Sequence, residues 1–253
     1  MLKFLKVLFI LTFALSSGFA QRTKIQTIVL DAGHGGKDPG TSFGKLKEKN
    51  IALSITLKVG KLLEEELGIK VVYTRKKDVF IPLHERGNIA NKHKADLFIC
   101  IHVNANPYSS KIYGSETYTM GLHKTEENLE LAKRENAVIL LEDNYKKNYD
   151  GFDPNSPLAH IKMANYQNAF MRQSLSLASK IEKQFQKSGR KSRGVKQAGF
   201  QVLWETTMPG IYIETGYLTN STDRKILGSE DGHDKIAEAI VKAIKVYKEE
   251  SEK

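Results

Sequence analysis

Cysteine is almost absent from this sequence, and its scarcity excludes two kinds of site. Cys100 is the only cysteine among 253 residues. A single thiol forms neither an internal disulfide nor a cysteine-rich zinc site. Because Cys100 lies within the apolar run LFICIHV, we expect an inert, buried side chain rather than a nucleophile.

Other features are missing as well. The sequence has no internal repeat, no low-complexity segment and no basic run interleaved with aromatic residues. The last absence argues against a nucleic-acid-binding protein. The formal net charge of +10 instead suits an acidic polymer or an anionic envelope surface, with an ordinary solvated basic surface as the simpler alternative. Beyond the first twenty residues, no run is long and apolar enough to span a membrane.

The first twenty residues, MLKFLKVLFILTFALSSGFA, predict a secretory signal peptide. Lys3 and Lys6 precede an apolar run over 7–15, and small residues end the segment at Ala20. A membrane anchor is the alternative, but the run is shorter than the roughly 20 apolar residues that a spanning helix needs. We therefore expect an exported chain with no transmembrane segment after signal cleavage, located in the periplasm or otherwise secreted to the cell wall.

Strand-like and helix-like segments alternate along the first half of the chain. The apolar residues of 48–67 fall at helical spacing and precede Gly68, where a C-terminal cap belongs. The pattern predicts an α/β fold: a largely parallel twisted sheet flanked by helices on both faces, in one domain over 21–253 with a helical insertion at about 122–165. Strands are predicted at 24–30, 70–75, 96–103, 114–120, 200–204 and 210–217, and helices at 48–67, 82–94, 124–145, 158–187 and 234–250.

Two histidines follow or end predicted strands. His34 lies in the glycine-rich stretch DAGHGGKDPG, and His102 lies in ICIHVNAN. Ligands collect at the carboxyl ends of parallel strands, so these histidines can converge. Glu48, at the start of the first helix, supplies a third ligand, and the set leaves one tetrahedral position for water, as in catalytic zinc sites. Each residue taken alone has an ordinary structural explanation, and only the set of three favours a metal site.

Glu214 is a further acid of interest. It ends the apolar run of GIYIETGYLTN, where a carboxylate could take a proton from a zinc-bound water and return it to a leaving amine. A buried acid in a structural ion pair is the alternative.

Four stretches together resemble the zinc-dependent N-acetylmuramoyl-L-alanine amidases of the cell-division type. They are IVLDAGHGGKDPG, KEKNIALSITLKVGKLLEEE, LHERGNIANKHKADLFICIHVNAN and MPGIYIETGYLTN, in the order and approximate spacing of that family. The resemblance implies hydrolysis of the amide between the lactyl group of N-acetylmuramic acid and L-alanine of peptidoglycan. It implies a single Zn²⁺ held by His34, Glu48 and His102, and Glu214 as the catalytic acid or base. Arg86 and Asn104 are expected to be structural.

The resemblance also bears on the insertion. Division amidases of this type can hold an inhibitory helix over the zinc, from which a glutamate fills the open position until an activator protein moves it. LAKRENAVILLEDNY carries two acids that suit this role, Glu135 and Glu142, and a helical lid with solvated acids is the alternative. Two other functions remain open: a catalytically inactive peptidoglycan-binding protein, and a zinc peptidase acting within the stem peptide.

Overall fold

A six-stranded mixed sheet forms the centre of the molecule. The computed structural model describes residues 24–164 and 169–253; the predicted signal peptide lies outside these ranges. The sheet order is β4-β1-β5-β8-β6-β7. The first four of these strands are mutually parallel, β6 is antiparallel to β8, and β7 is parallel to β6.

The helices and strands have the following bounds. The strands are β1 (Thr27–Ala32), β2 (Ser42–Phe43), β3 (Leu46–Lys47), β4 (Lys70–Tyr73), β5 (Leu97–Asn104), β6 (Ser115–Met120), β7 (Ser192–Ala198) and β8 (Gly210–Tyr217). The helices are α1 (Glu48–Leu67), α2 (Leu83–Lys92), α3 (Glu126–Asn136), α4 (Tyr145–Asn148), α5 (Pro157–Ala164), α6 (Met171–Lys187), α7 (Gln201–Trp204), α8 (Ser221–Leu227) and α9 (Glu230–Ser251), with a 3-10 helix at Ala137–Leu141.

Apolar cores on both faces of the sheet confirm the predicted α/β fold. On one face, α1, α6 and α9 pack their apolar residues against strand residues such as Ile99 and Ile213. On the other face, α2, α3 and α7 pack against residues such as Phe98 and Tyr212. Cys100 is fully buried there and donates to Asp31 Oδ2 at 2.9 Å, so the expectation of a buried thiol is confirmed. The helices in the described parts of the chain are each too short or too polar to cross a bilayer.

Two predicted elements in the second half of the chain are wrong because tertiary hydrogen bonds decide them. The helix predicted over 124–145 ends at Asn136, whose side-chain amide donates to Gly199 O at 2.7 Å. The same amide accepts from the backbone N–H of Gln201 at 2.8 Å. That bond satisfies the first turn of α7, so the strand predicted over 200–204 is helical instead.

Two further differences concern the insertion and the sheet edge. The helix predicted over 158–187 is described as two helices, α5 and α6, on either side of the undescribed residues 165–168. The edge strand β7 has no counterpart in the sequence prediction. Its sequence SRGVKQA is polar, and most of its residues are only partly buried, so it lacks the apolar alternation by which strands are recognised.

The packing of α9 generates the first prediction. Ile240 is fully buried where α9 packs against α1 and α6. We expect Ile240→Ala to lower the free energy of unfolding by about 2–5 kcal/mol, because it removes buried methyl groups and leaves a cavity. Urea denaturation measures the loss. Lys242→Ala, on the exposed side of the same helix, is the control and should change stability by less than about 0.5 kcal/mol; equal losses would contradict the assignment.

Candidate metal centre

Two histidines and one glutamate from three separate segments meet at one end of the sheet. His34 follows β1, His102 lies near the end of β5, and Glu48 is the first residue of α1. Glu48 Oε1 is 3.1 Å from His34 Nε2 and 3.0 Å from His102 Nδ1. All three side chains are buried. The structure thus brings together the three residues that the sequence predicts as metal ligands.

Two glycines make room for this cluster. A Cβ atom at Gly33 would lie 2.2 Å from His102 Nε2, and one at Gly40 would lie 2.6 Å from Glu48 Oε2. Both distances are too short for non-bonded atoms, so either side chain would push a candidate ligand aside. His34 itself adopts a φ of 60°, which is uncommon outside glycine. The loop therefore combines a tight turn with close approach to the histidine rings.

Neighbouring groups hold the candidate ligands in position. Asp38 Oδ2 lies 2.7 Å from His34 Nδ1, which leaves Nε2 to face the cluster. Glu48 accepts hydrogen bonds from the backbone N–H groups of Val103 and Thr41, both at 2.8 Å. Partners of this kind set the tautomer and orientation of metal ligands.

Arg86 holds the loop that carries His34 in place. Its guanidinium donates to Asp31 Oδ1 at 2.8 Å, to Ala32 O at 2.8 Å and to His34 O at 2.9 Å. Both members of the Arg86–Asp31 ion pair are buried. The structural interpretation of Arg86 is therefore confirmed: it ties the end of β1 to α2.

A fourth side chain reaches the cluster from the insertion. Glu135, on α3, places Oε2 3.4 Å from both His34 Nε2 and His102 Nδ1. Its other oxygen is 3.1 Å from Arg134 Nε. Of the two acids predicted as inhibitory, Glu135 is thus the one beside the histidines.

Glu142 lies elsewhere. Its carboxylate accepts from the backbone N–H of Leu83 at 2.8 Å and from the hydroxyl of Tyr149, whose oxygen is 2.8 and 2.7 Å from the two carboxylate oxygens. These bonds fasten the segment after the 3-10 helix to the start of α2. Glu142 therefore anchors the insertion and does not contact the two histidines.

Electrostatic attraction within the cluster outweighs the burial that opposes charge. Burial would lower the pKa of His34, but the carboxylates, led by Glu48, raise it well above its usual value. Burial would raise the pKa of Glu135, but His34 and Arg134 lower it to about 2. The carboxylates therefore favour the charged form of His34, and His34 in turn favours the charged form of Glu135.

The cluster fits a divalent cation. His34, His102 and Glu135 offer ligand atoms that lie within 4.8 Å of one another. Among the described residues, His34 Nε2 and Glu135 Oε2 are buried without a hydrogen-bond partner. Each nevertheless lies close to the other candidate ligand atoms. With bonds of about 2.0–2.1 Å to a tetrahedral ion, neighbouring donor atoms are about 3.3 Å apart. The separations of 3.0–3.4 Å from the carboxylates of Glu48 and Glu135 to the two histidines match that spacing.

Glu214 lies next to this centre on β8. It is fully buried and pairs in register with His102 of β5 and with Glu116 of β6. Within the described ranges, neither of its carboxylate oxygens has a hydrogen-bond partner. Burial, followed by the charges of Glu48 and Glu135, raises its pKa well above the usual value. Among the described residues, Glu214 is therefore a buried acid beside the cluster and not half of a structural ion pair.

Three residues near the centre were not singled out from the sequence. Asp38 follows His34 at four residues within DAGHGGKD, so its role could have been inferred from that motif. Arg134 precedes Glu135, but nothing local indicates that it also reaches Asn104 Oδ1 at 3.0 Å. Tyr212 stacks on the ring of His102, and its strand gives no signal of this contact.

An α/β domain with a buried His/His/carboxylate cluster at the end of parallel strands, beside a buried acid, has the side chains that a metal-dependent hydrolase requires. The chain belongs to the Amidase_3 family, described as N-acetylmuramoyl-L-alanine amidase, whose model matches residues 28–246. Membership confirms the resemblance seen in the sequence and the class of enzyme that it implies. It also makes peptidoglycan the substrate class.

Sequence similarity to individual proteins supports this membership. YqiI of Bacillus subtilis, described as an uncharacterized protein, is 33% identical over 238 residues, which cover 94% of this chain and 92% of that protein. The N-acetylmuramoyl-L-alanine amidase AmiA of Escherichia coli K12 is 34% identical, covering 88% of this chain and 76% of AmiA. AmiC of Escherichia coli O6:H1 is 32% identical over 91% of this chain, which spans only 54% of AmiC.

Solved structures show the same fold. An N-acetylmuramoyl-L-alanine amidase from Clostridium difficile 630 is similar with a TM-score of 0.66 and 26% identity, covering 89% of this chain and 97% of that one. The CwlD amidase of Clostridioides difficile, solved in complex with the GerS lipoprotein, is similar with a TM-score of 0.64 and 26% identity, covering 88% and 98%.

The close approach at Gly33 generates the second prediction. We expect Gly33→Ala to weaken metal binding at least tenfold, because the added methyl group would displace the His102 ring. Metal content after dialysis, measured by mass spectrometry, checks this. Gly87→Ala is the matched control, since a Cβ atom there meets nothing closer than 3.9 Å. Full metal occupancy in a folded Gly33→Ala protein would contradict the prediction.

Proposed function

We propose that this chain is an exported, zinc-dependent N-acetylmuramoyl-L-alanine amidase that cleaves the amide between the lactyl group of N-acetylmuramic acid and L-alanine. The observation that carries the proposal is the convergence of His34, Glu48 and His102 beside the buried, unpaired Glu214. Residues 1–20 form the signal peptide, and 21–253 form the catalytic domain with its insertion at about 122–165. The domain acts in cell-wall remodelling or daughter-cell separation, in the periplasm or at the cell wall.

His34, Glu48 and His102 hold the zinc ion in this proposal. Two nitrogens and one oxygen are a ligand set of catalytic zinc sites, which keep one position open. When bound, the ion polarises the scissile carbonyl and makes the attacking water more acidic. Asp38 keeps Nε2 of His34 directed at the ion, and the N–H groups of Val103 and Thr41 hold the Glu48 carboxylate.

Glu214 moves the proton. It accepts a proton from the attacking water and returns it to the amine of L-alanine as the amide bond breaks. Burial near other carboxylates raises its pKa, which makes the carboxylate a stronger base than an exposed glutamate. Nearby cationic charge favours the ionised form. Arg134 partly offsets the rise in the pKa of Glu214, and a bound cation would act in the same direction.

The division of roles between Glu214 and His102 is the third prediction. We expect Glu214→Ala to keep stoichiometric zinc but to lose about 10²- to 10⁴-fold in turnover, since it removes general acid–base catalysis. His102→Ala should lose zinc as well as activity. Metal analysis and dye release from labelled peptidoglycan, with and without a chelator, measure both. A zinc-free Glu214→Ala protein would show that Glu214 is a ligand.

The products of the same reaction separate the alternatives. Mass spectrometry should find free stem peptides with L-alanine at the N-terminus. Fragments cut within the stem peptide would indicate a zinc peptidase. Zinc-loaded protein that binds peptidoglycan and releases nothing, even when the insertion is altered as below, would indicate an inactive binding protein.

We further propose that Glu135 inhibits the enzyme by occupying the open position of the zinc. Its Oε2 is equidistant from the two histidine rings, and Arg134 holds its other oxygen. The hydrogen bonds from the backbone N–H groups of Leu83 to Glu142 and of His84 to Tyr149 keep the insertion closed over the site. Removal of α3 from the site would then require a partner, and an activator protein is the partner that this arrangement suits. The related CwlD amidase is itself known in complex with a lipoprotein.

The fourth prediction tests this inhibition. We expect Glu135→Ala to raise basal hydrolysis of purified sacculi at least tenfold, because the position it fills becomes open to water and substrate. Glu130→Ala on the same helix is the control, since Glu130 is half-exposed and, in the part of the chain that the structure describes, pairs with Lys133. If Glu135→Ala instead lowers both zinc content and activity, Glu135 is a permanent ligand and the inhibition model fails.

A further inference from the structure

Tyr212 occupies a position in the site that neither metal binding nor proton transfer uses. It lies two residues before Glu214 on β8, so both side chains project from the same face of the sheet. Its ring is stacked between two others. The centroid of His102 lies 4.2 Å away with an interplanar angle of 25°, and that of Phe200 lies 4.2 Å away at 7°. Only 1% of the residue is exposed.

The hydroxyl of Tyr212 has no hydrogen-bond partner among the described residues. Such a state is costly for a polar group removed from water. Tyr212 lines the same small cavity as His34, His102 and Glu135. A hydroxyl with no partner in the lining of a cavity that borders the histidines is available to a group that enters the site when Glu135 leaves it.

The surroundings of the hydroxyl make it a donor. A tyrosine phenol has an ordinary pKa of about 10, so this hydroxyl keeps its proton at neutral pH. The carboxylates around it can only accept hydrogen bonds when they are ionised. Arg134, a donor at the mouth of the site, is already bonded to Glu135 and Asn104.

We propose that Tyr212 is a catalytic residue that donates a hydrogen bond to the acyl oxygen of the scissile amide once Glu135 has left the site. This oxygen gains negative charge as water adds to the carbonyl, and it is the atom in the reaction that most requires an additional donor. The leaving nitrogen needs a proton, which Glu214 supplies. The inference rests on the proposed amidase function and adds a residue to it.

Packing against His102 is the competing role for Tyr212, and two substitutions separate them. Tyr212→Phe keeps the ring between His102 and Phe200 but removes the hydroxyl. Tyr212→Leu removes both the stacking and the hydroxyl. Each is made in the Glu135→Ala protein, so that the site is open in every comparison. Tyr113→Phe is the matched control, because it deletes a phenol hydroxyl from a half-exposed ring beside Lys191.

The fifth prediction is a specific pattern of effects. We expect Tyr212→Phe to lower kcat about 10²-fold on a soluble muramyl peptide, as loss of one oxyanion donor does, with KM and the Kd for zinc within about threefold of the parent. Tyr212→Leu should lower kcat similarly and also weaken zinc binding, measured by competition with a chelator. Tyr113→Phe should match the parent in all three quantities.

Other patterns overturn the inference. If Tyr212→Phe has the kcat of the parent, Tyr212 acts through its ring alone. If Tyr212→Phe loses zinc in proportion to kcat, the hydroxyl supports the metal site and does not act on substrate. If the zinc-loaded parent itself releases no stem peptides, the amidase proposal fails and this inference fails with it, a result distinct from an active parent whose Tyr212→Phe variant is unchanged.

Discussion

The crowding of buried carboxylates around two imidazoles is the interaction on which the rest of this structure depends. Glu48 and Glu135 each lie within 3.4 Å of His34 Nε2 and His102 Nδ1. Glu214 lies beside His102 on the neighbouring strand. Anions brought together out of water repel one another and are costly to bury. A divalent cation among them reverses the sign of that interaction. The fold around the cluster therefore holds these groups at a spacing that suits a divalent cation.

Backbone contacts made at short range hold these groups in place. Arg86 fixes the carbonyls of Ala32 and His34, and the N–H groups of Thr41 and Val103 hold the Glu48 carboxylate. Such bonds leave the ligands little freedom to relax when charge or coordination changes, which is the property required of a preorganised catalytic site. The absence of a side chain at Gly33 and Gly40 serves the same end, because a Cβ atom there would displace His102 or Glu48.

In the inhibition that we propose, the insertion connects this site to regulation. One end of it carries Glu135 into the metal centre, and the bonds of Glu142 attach the following segment to α2. Asn136, next to Glu135, joins the end of α3 to the start of α7 through both atoms of its amide. A movement of α3 away from the histidines would therefore disturb contacts on two other helices. That coupling offers a physical route by which a partner bound to the insertion would change the state of the site.

The sequence alone determined the class of fold, the predicted ligands and the candidate acid. Strong signals carried these inferences: helical periodicity over 48–67, nearly continuous apolar strands at 96–103 and 210–217, and histidines placed after strands. They are local patterns, and residues close in sequence report them reliably. The bounds of α1 and β8 agree with the predicted ranges for the same reason.

Only the tertiary structure decided which distant groups meet. Glu135 and Glu142 are indistinguishable as acids on a helix-like segment, yet α3 ends between them, and one reaches the histidines while the other binds Leu83 at the start of α2. The stacking of Tyr212 on His102 and the helical form of 201–204 have the same origin. Each depends on partners far away in sequence, and pair interactions of that kind leave no periodic trace from which they could be inferred.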